Sequence, residues 1–191
     1  MKDPFVKFHA WLADAHQRKL AEPTAMSLAT VDAEGHPAVR MVLLKHADEA
    51  GFVFYTNLES DKGVQLKANP AVELCFYWNP PGRQVRVRGT AQPVDVAEAD
   101  AYFKSRAYRS RLGAWASRQS RPLASQSRLL AQVASTALKY PLQVPRPDHW
   151  SGYRVVPDSI EFWEEKPFRL HDRVRFEKEA NGSWAPVRLY P

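Results

Sequence analysis

The segment that decides the fold is residues 71–91, which read AVELCFYWNPPGRQVRVRGTA. The apolar run Ala71–Trp78 and the alternating run Gln84–Ala91 flank the turn-forming residues Asn79–Gly82, so the segment predicts two adjacent strands joined by a turn. In the second run, valines alternate with glutamine and arginine. One face of that strand is therefore expected to be buried, and the other to be polar and cationic.

The same kind of pattern continues in both directions from this hairpin, with short apolar or alternating runs bounded by turn residues. Upstream, the sequence predicts helices at Pro4–Glu22 and Ser60–Asn69 and strands at Ala25–Val31, Ala38–Lys45 and Phe52–Thr56. Downstream, it predicts helices at Val96–Ser105 and Ser125–Lys139 and strands at Gly152–Val156, Ile160–Glu164, Val174–Lys178 and Trp184–Leu189. Asn181-Gly182 indicates a hairpin between the last two strands, and Asp95 with Glu98 resembles a helix-capping box.

Strands in hairpin order with helices inserted between them predict a mostly β (α+β) fold, an antiparallel barrel with peripheral helices. The length of 191 residues favours one domain over residues 1–191. A Rossmann domain is not expected, because strands and helices do not alternate and no Gly-x-Gly-x-x-Gly is present. With only eight glycines, the chain has no glycine-rich phosphate loop, so side chains must hold any phosphate.

Positive charge is concentrated in one part of the chain. The formal net charge is +6, and residues 83–121 contain nine basic residues against three acidic ones. Such a field attracts an anionic partner, which could be nucleic acid, an acidic membrane or a small phosphorylated ligand, although a plain solvated face has the same composition.

Several classes of protein are not expected. No apolar run approaches the roughly 20 residues that span a bilayer, and the start Met-Lys-Asp-Pro-Phe is not a secretory signal, so we expect a cytoplasmic protein without membrane association. The single cysteine, Cys75, excludes an internal disulfide and a cysteine-pair metal site. The histidines show no ligand spacing, so no metal site is predicted.

Three clusters of residues carry groups suited to chemistry. The first combines Arg40–Lys45 with Tyr55–Lys62, and on one extended strand Arg40 and Lys45 would project to opposite faces. The second contains Tyr102 and Arg106, four residues apart and thus on one face of a helix, with Ser110 nearby; a hydroxyl beside a guanidinium suits a phosphate. The third contains Glu161–Trp163 and Arg169–Arg173.

Each cluster also has a purely structural interpretation. The first could consist of strand-end charges that reach solvent, and the second could be a packing pair on a basic helix. His171 in the third could be an acid–base group, a stacking group or an ordinary surface histidine. Residue pattern alone leaves these alternatives open.

Seven motifs in order carry a resemblance to a known family. They are Arg-x-Val-Leu-Leu-Lys (40–45), Phe-Tyr-Thr-Asn-Leu (54–58), Arg-Gln-Val (83–85), Tyr-Phe-x-Ser-Arg (102–106), Gly-Ala-Trp-x-Ser-x-Gln-Ser (113–120), Ile-Glu-Phe-Trp (160–163) and Arg-Leu-His-Asp-Arg (169–173). Together they resemble the pyridoxamine (pyridoxine) 5′-phosphate oxidases from about Ala25 to Pro191. Arg-Leu-His-Asp-Arg is the most diagnostic of the seven.

The resemblance implies the FMN-binding split-barrel fold and a homodimer with FMN at the subunit interface. Residues 150–191 would form the C-terminal strands and the dimer and substrate-site region. The implied reaction is FMN-dependent oxidation of pyridoxamine 5′-phosphate and pyridoxine 5′-phosphate by O₂. Its products are pyridoxal 5′-phosphate and H₂O₂, with ammonia from the amine.

The resemblance also assigns roles to individual residues. The implied cofactor residues are Arg40, Met41, Val42, Leu43, Leu44, Lys45, Tyr55, Thr56, Lys62, Gln84, Gln119, Ser120, Trp163 and Arg173, some of them from the other subunit. The implied grip on the substrate phosphate is Lys45, Tyr102, Arg106 and Ser110. Arg169 and His171 match the residues placed over the substrate ring, and they are the predicted catalytic pair.

One departure from the family pattern is Asp61, where the family usually has arginine between the serine and lysine of Ser60-Asp61-Lys62. We expect Asp61 to face solvent, to pair with Lys62 or Lys67 and to cap its own helix. The alternative is that Arg86 or Arg88, on the polar face of the fifth strand, takes the place of the missing arginine.

Two other functions compete with the oxidase. A non-oxidase flavin- or haem-binding split barrel, a sensor or carrier, would lack the substrate-side residues that are present here. A single-strand nucleic-acid binder could use the basic stretch with its aromatic residues, but it would not explain the ordered motifs, so no nucleic-acid partner is expected.

Overall fold

The computed structural model describes residues 3–191. Its helices are α1 (Pro4–Gln17), α2 (Asp61–Ala68), α3 (Val96–Ser105), α4 (Tyr108–Ala116) and α5 (Gln126–Lys139). Its strands are β1 (Ala25–Val31), β2 (Pro37–Leu43), β3 (His46–Asp48), β4 (Gly51–Asn57), β5 (Ala71–Trp78), β6 (Arg83–Pro93), β7 (Trp150–Glu164), β8 (Asp172–Lys178) and β9 (Trp184–Leu189). Within the described residues, no helix is both long and apolar enough to cross a membrane.

All nine strands belong to one sheet, and every pairing in it is antiparallel. The order is β2-β1-β5-β6-β7-β4-β3, with β8 on β7 and β9 on β8. One edge of β7 is divided, because its first half pairs with β4 and its second half with β8. This confirms the predicted antiparallel split barrel. The assignment of residues 1–191 to a single domain stays a prediction.

The sequence predicted two strands, Gly152–Val156 and Ile160–Glu164, where the structure has one. Strand β7 runs without a break from Trp150 to Glu164. The irregularity is a bulge within β7, because Arg88 of β6 pairs with Ser159 and Gly89 with Pro157, which leaves Asp158 without a partner on β6. A Cβ at Gly89 would lie 2.1 Å from the Val156 carbonyl oxygen, so only glycine permits this close approach of the two backbones. The bulge allows one long strand where the sequence, interrupted by Pro157, indicates two.

Helix α1 closes the inner face of the sheet. The Asp3 carboxylate accepts a hydrogen bond from the Phe5 backbone N–H at 2.7 Å and so caps the first turn. Phe8, fully buried, packs edge-on against Phe52 and Phe76. The helix ends at Gln17 rather than at the predicted Glu22, and Lys19 already has a left-handed φ of 54°.

Helices α3 to α5 form a second layer around a small apolar cluster of Phe103, Leu112, Val144 and Trp150. Helix α4 and the three-residue β3 were not predicted. The predicted capping box is wrong, since Asp95 makes no side-chain cap and Glu98 instead contacts Arg154 on β7.

Candidate functional site

A cavity of about 640 Å³ lies between the sheet and helices α3 and α4. Eleven of the predicted site residues line it: Met41, Val42, Leu43, Lys45, Tyr55, Thr56, Lys62, Tyr102, Arg106, Ser110 and Gln119. The structure thus brings the first two sequence clusters together in one place. A volume of this size is in the range of small-molecule and cofactor sites.

Lys62 provides one cationic group of the cavity, and it is 8% exposed. Ser60 caps helix α2 by accepting from the Gly63 N–H, and this turn directs Lys62 inward. The Lys62 Nζ donates to Ser60 Oγ at 3.0 Å and to Gln119 Oε1 at 2.9 Å. Burial, and then the nearby Arg40 guanidinium, lower the pKa of Lys62. The site therefore holds a desolvated ammonium group with only neutral hydrogen-bond partners.

Arg40 lies behind Lys62 rather than in the cavity wall. Its guanidinium donates to Gln65 Oε1 of α2 at 2.9 Å and to Thr30 Oγ1 of β1. Burial lowers the pKa of Arg40. The predicted strand Ala38–Lys45 in fact ends at Leu43, so the alternation of faces does not extend to Lys45, which lies in the connection to β3.

Two further residues assigned to the cofactor lie outside the cavity wall. Leu44 is buried in the main core. Ser120 lies in the loop after α4, where its Oγ accepts from the backbone N–H of Asp61.

Asp61 is exposed, as predicted, but it does not cap the helix, because Ser60 has that role. The predicted ion pairs of Asp61 with Lys62 and Lys67 are not among those formed in residues 3–191. Its charge still acts on the site, since it raises the pKa of both Arg40 and Lys62 against the effect of burial.

Arg106 provides a second cationic group in the cavity. It follows the last residue of α3 as the C-cap, and its guanidinium lies 4.7 Å from the centre of the Trp150 ring. Its Nη1 atom is buried and makes no hydrogen bond within residues 3–191. Burial lowers the pKa of Arg106. A buried donor without an acceptor is costly, so an anionic ligand is the simplest completion of this site.

Aromatic rings form the wall beside Arg106. Tyr55 stacks on Tyr102 with centroids 4.0 Å apart and on Trp150 with centroids 5.3 Å apart. Burial and the Glu98 carboxylate raise the pKa of Tyr55 to about 12, so its hydroxyl stays protonated. Trp150 is a site residue that the sequence reasoning missed, because a tryptophan at the start of a strand has the same pattern whether it fills a core or a cavity wall.

Three other predicted residues form a row across neighbouring strands. Gln84 of β6 is paired with Trp163 of β7, and Trp163 with Arg173 of β8. The His171 ring lies 4.6 Å from the Trp163 ring. This row lies on the face of the sheet opposite Phe162 and the main core, and none of its residues lines the cavity of the same chain.

Arg169 lies next to the row, in the short connection between β7 and β8. It and the preceding Phe168 both have left-handed backbones, with φ of 61° and 59°, which is unusual for residues with side chains. Both side chains are exposed. Of the predicted catalytic pair, Arg169 is therefore on the surface of the protomer and His171 is half-buried, and neither lines the cavity that contains Lys62 and Arg106.

Comparison with known proteins identifies the family. Residues 12–140 match the model of the family described as pyridoxamine 5′-phosphate oxidase. The chain belongs to this family. Residues 150–191 match the pyridoxine 5′-phosphate oxidase C-terminal dimerisation region. The family predicted from the seven motifs is thereby confirmed.

Individual relatives agree with this assignment. The chain is 56% identical over 191 residues to a pyridoxine/pyridoxamine 5′-phosphate oxidase of Maricaulis maris, covering 99% of this chain and 86% of the relative. It is 53% identical over 190 residues to one of Mesorhizobium japonicum, covering 99% and 93%.

Solved structures show the same fold. PhzG from Burkholderia lata, in complex with tetrahydrophenazine-1-carboxylic acid, superposes with a TM-score of 0.94 at 31% identity, over 100% of this chain and 94% of the other. A pyridoxamine 5′-phosphate oxidase-related, FMN binding protein from Nostoc punctiforme has a TM-score of 0.80 at 17% identity, with both chains covered completely.

Proposed function

We propose that this protein oxidises pyridoxamine 5′-phosphate and pyridoxine 5′-phosphate to pyridoxal 5′-phosphate, with FMN as cofactor and O₂ as oxidant. The observation that carries the proposal is a pair of cationic groups that face one cavity, the buried Lys62 and the half-buried Arg106 with its buried Nη1 atom. FMN and the substrate each carry one phosphate. Two separate desolvated cations suit two separate phosphates better than they suit one singly charged ligand.

The residues present fit an FMN group. Lys62, with Arg40 behind it, offers positive charge to the FMN phosphate, and Gln119 is already hydrogen-bonded to Lys62. The strand residues Met41–Leu43 present a largely apolar wall along the cavity, which suits a flat ring system. Bound FMN supplies the two-electron oxidation chemistry of this reaction class.

The protein's own contribution to the reaction is binding and orientation. Lys45, Tyr102, Arg106 and Ser110 line the same part of the site and would hold the substrate phosphate. The protonated Tyr55 hydroxyl and the stacked aromatic rings would exclude water from the space beside that phosphate. Fixing the phosphate fixes the position of the substrate carbon that is oxidised.

We further propose that the partner subunit of a homodimer completes each site. Arg169, His171 and the row of Gln84, Trp163 and Arg173 do not line the cavity of their own chain. A two-fold interface that brings this row of each protomer to the cavity of its partner would assemble two complete sites per dimer, each with all the predicted residues. Arg169 and His171 would then orient the substrate ring and stabilise charge on it.

The non-oxidase alternative is less well supported, because a flavin sensor or carrier needs only the Lys62 part of the cavity. The buried Arg106 Nη1 without an acceptor would then have no purpose. An oxidase of unphosphorylated substrates would leave the same atom unsatisfied.

A direct test uses the visible spectrum. The purified protein, or the protein supplied with FMN, should show flavin absorption that bleaches when pyridoxamine 5′-phosphate is added anaerobically and returns when O₂ is admitted. A protein that takes up no FMN, or whose flavin is not bleached by either phosphorylated vitamer, contradicts the proposal.

Site sharing is tested with hybrid dimers. Arg106→Ala damages the cavity and Arg169→Leu damages the row, so each variant alone should have little activity at a substrate concentration well below KM. After mixed dissociation and reassociation, half of the dimers are hybrids with one undamaged site each, and about a quarter of the wild-type activity should return. If each protomer completes its own site, mixing restores nothing.

A further inference from the structure

Glu161 of β7 is a buried carboxylate that contacts Arg173, one of the proposed cofactor residues. Its side chain is 8% exposed. Its Oε1 accepts from Arg173 Nε at 3.0 Å and from Arg173 Nη2 at 2.8 Å. Its Oε2 lies 4.0 Å from Arg86 Nη1. Across β7 and β8, Glu161 is paired with Arg175, two positions from the pair of Trp163 and Arg173 and therefore on the same face of the sheet.

These contacts fix the orientation of the Arg173 guanidinium. An arginine has five N–H groups. Glu161 takes two of those of Arg173, and the Tyr190 carbonyl oxygen takes a third, from Nη1 at 3.1 Å. The guanidinium is therefore held on two sides, and two N–H groups remain for a ligand. Holding a planar donor group in advance reduces the entropy lost when it binds.

The charge around Glu161 makes this carboxylate necessary. It shares a small cavity of about 130 Å³ with four arginines, Arg86, Arg88, Arg173 and Arg175, and one other acid, Glu73. Among the seven residues of that cavity lining, cations outnumber acids by two to one. Without Glu161, Arg173 would be repelled by its neighbours and would turn outward into solvent.

We infer that Glu161 is a positioning residue, which acts through Arg173 to set the affinity of the site for FMN. The inference rests on the proposed function, since it takes the Arg173 row as part of the partner's FMN site. Glu161 itself faces arginines and needs no contact with FMN.

The chain offers a matched control in Glu73. It is on the same face of the sheet and pairs with Arg86 through Arg86 Nε, but it makes no ion pair with Arg173. Glu73→Gln therefore removes one negative charge from the same cluster and leaves the contacts of Arg173 in place. It separates the loss of local charge from the loss of orientation.

The experiment measures FMN dissociation constants from the quenching of FMN fluorescence for Glu161→Gln, Glu73→Gln, Arg173→Gln and the double variant Glu161→Gln/Arg173→Gln. Glu161→Gln should weaken FMN binding about tenfold, the effect of one charge-assisted contact, and Glu73→Gln less than twofold. Because Glu161 acts through Arg173, the double variant should bind no more weakly than Arg173→Gln alone.

A purely structural role gives a different result. If Glu161 is purely structural, Glu161→Gln should lower the melting temperature of the FMN-free dimer. In the double variant, the factors by which the two substitutions weaken FMN binding should then multiply. Unchanged FMN affinity in Glu161→Gln, or multiplied losses in the double variant, overturns the inference. If the wild type itself takes up no FMN, the proposed function fails, which this experiment distinguishes from failure of the Glu161 role alone. If Glu161→Gln does not fold, the double variant without either charge supplies the comparison with Arg173→Gln.

Discussion

The cavity and the β6–β8 row hold their charged side chains in opposite ways. In the cavity, Lys62 is buried and Arg106 is half-buried, and the pKa values of both are lowered. Within residues 3–191, neither forms an ion pair with a carboxylate. In the row, Arg173 is paired with Glu161 and is partly open to solvent. A desolvated cation without a counter-ion can bind an anionic ligand. A cation paired with a carboxylate has part of its charge neutralised, and the pairing fixes the orientation of its side chain. The difference supports the proposal that the cavity binds the phosphates and that the row aligns the ligands.

The largest effect should come from Arg169, which lies next to the row and whose side chain is exposed in its own protomer. We expect Arg169→Leu to retain FMN and to lower kcat/KM by about 10²-fold, the loss of roughly 3 kcal/mol of a charged contact to the reacting substrate. Steady-state kinetics with FMN saturating checks this. Kinetics within a few-fold of the wild type would place Arg169 outside the site.

A cavity residue should affect binding rather than turnover. We expect Arg106→Ala to raise KM for pyridoxamine 5′-phosphate about 30-fold, for the loss of about 2 kcal/mol of phosphate contact. Unphosphorylated pyridoxamine lacks the group that Arg106 holds and provides the control. Equal losses for the two substrates would make Arg106 a structural residue and would weaken the distinction between cavity and row.

Trp150 tests whether the aromatic wall holds Arg106 in place. We expect Trp150→Leu to raise KM for the phosphorylated substrate about tenfold, because a desolvated cation–π contact contributes about 1–2 kcal/mol. Trp150→Phe retains a ring face and should recover most of the affinity. If both variants behave alike in KM, the ring is packing only and Arg106 is fixed by other contacts.

Asp61 should have a smaller effect, on the cofactor only. Since Asp61 is exposed and its charge acts on Arg40 and Lys62, Asp61→Arg should tighten FMN binding about fivefold at low salt, with less gain at high salt and with kcat nearly unchanged. Asp61→Asn is the control, with about half the free-energy gain. Weaker FMN binding in Asp61→Arg would give the aspartate a structural role that its position does not suggest.

The smallest effect concerns pH. The pKa of Lys62 is lowered from 10.5 by burial, and only the protonated form attracts a phosphate. FMN affinity should therefore fall by about twofold when the pH equals that lowered pKa, and fall further toward pH 10.5. The stability of the FMN-free protein should change in the opposite direction. Because Lys62 binds its proton more tightly in the unfolded chain than in the folded one, the free energy of unfolding should rise with pH between the lowered pKa and 10.5. Lys62→Met should remove both dependences, which titrations of FMN affinity and melting temperature can measure.

Much of the fold could be predicted from the sequence, where local signals were strong. Short apolar or alternating runs bounded by turn residues predicted β1, β5 and β9 with their observed bounds. Three-residue β3 is too short to show a period, and α4, rich in arginine and with no repeated apolar face, gives no helical signal. The sequence predicted two strands where β7 is one, because local pattern does not show that a bulge at Asp158, opposite Gly89 of β6, keeps the pairing continuous.

For the candidate site, residue types were easier to predict than their surroundings. Lys62 and Arg106 could be named as phosphate residues, but their lack of a counter-ion depends on which strands and helices cover them. The prediction that Arg40 and Lys45 project to opposite faces assumed that both lie on one uninterrupted strand, but β2 ends between them. Trp150 was not singled out, and Glu161 was placed in the third cluster without a role, because the importance of each comes from the neighbour that it touches.

Strand β7 also sets a length scale for the assembly. It begins at Trp150, in the cavity wall, and carries Trp163, in the row, near its other end. At about 3.3 Å per residue, the strand between these two tryptophans is up to roughly 40 Å long, which is far beyond the reach of one side chain. If two protomers close both sites together, their β7 strands must pass one another in opposite directions with the symmetry axis near the middle. The distance between the two active centres of such an enzyme would then be determined by the number of residues in a single strand.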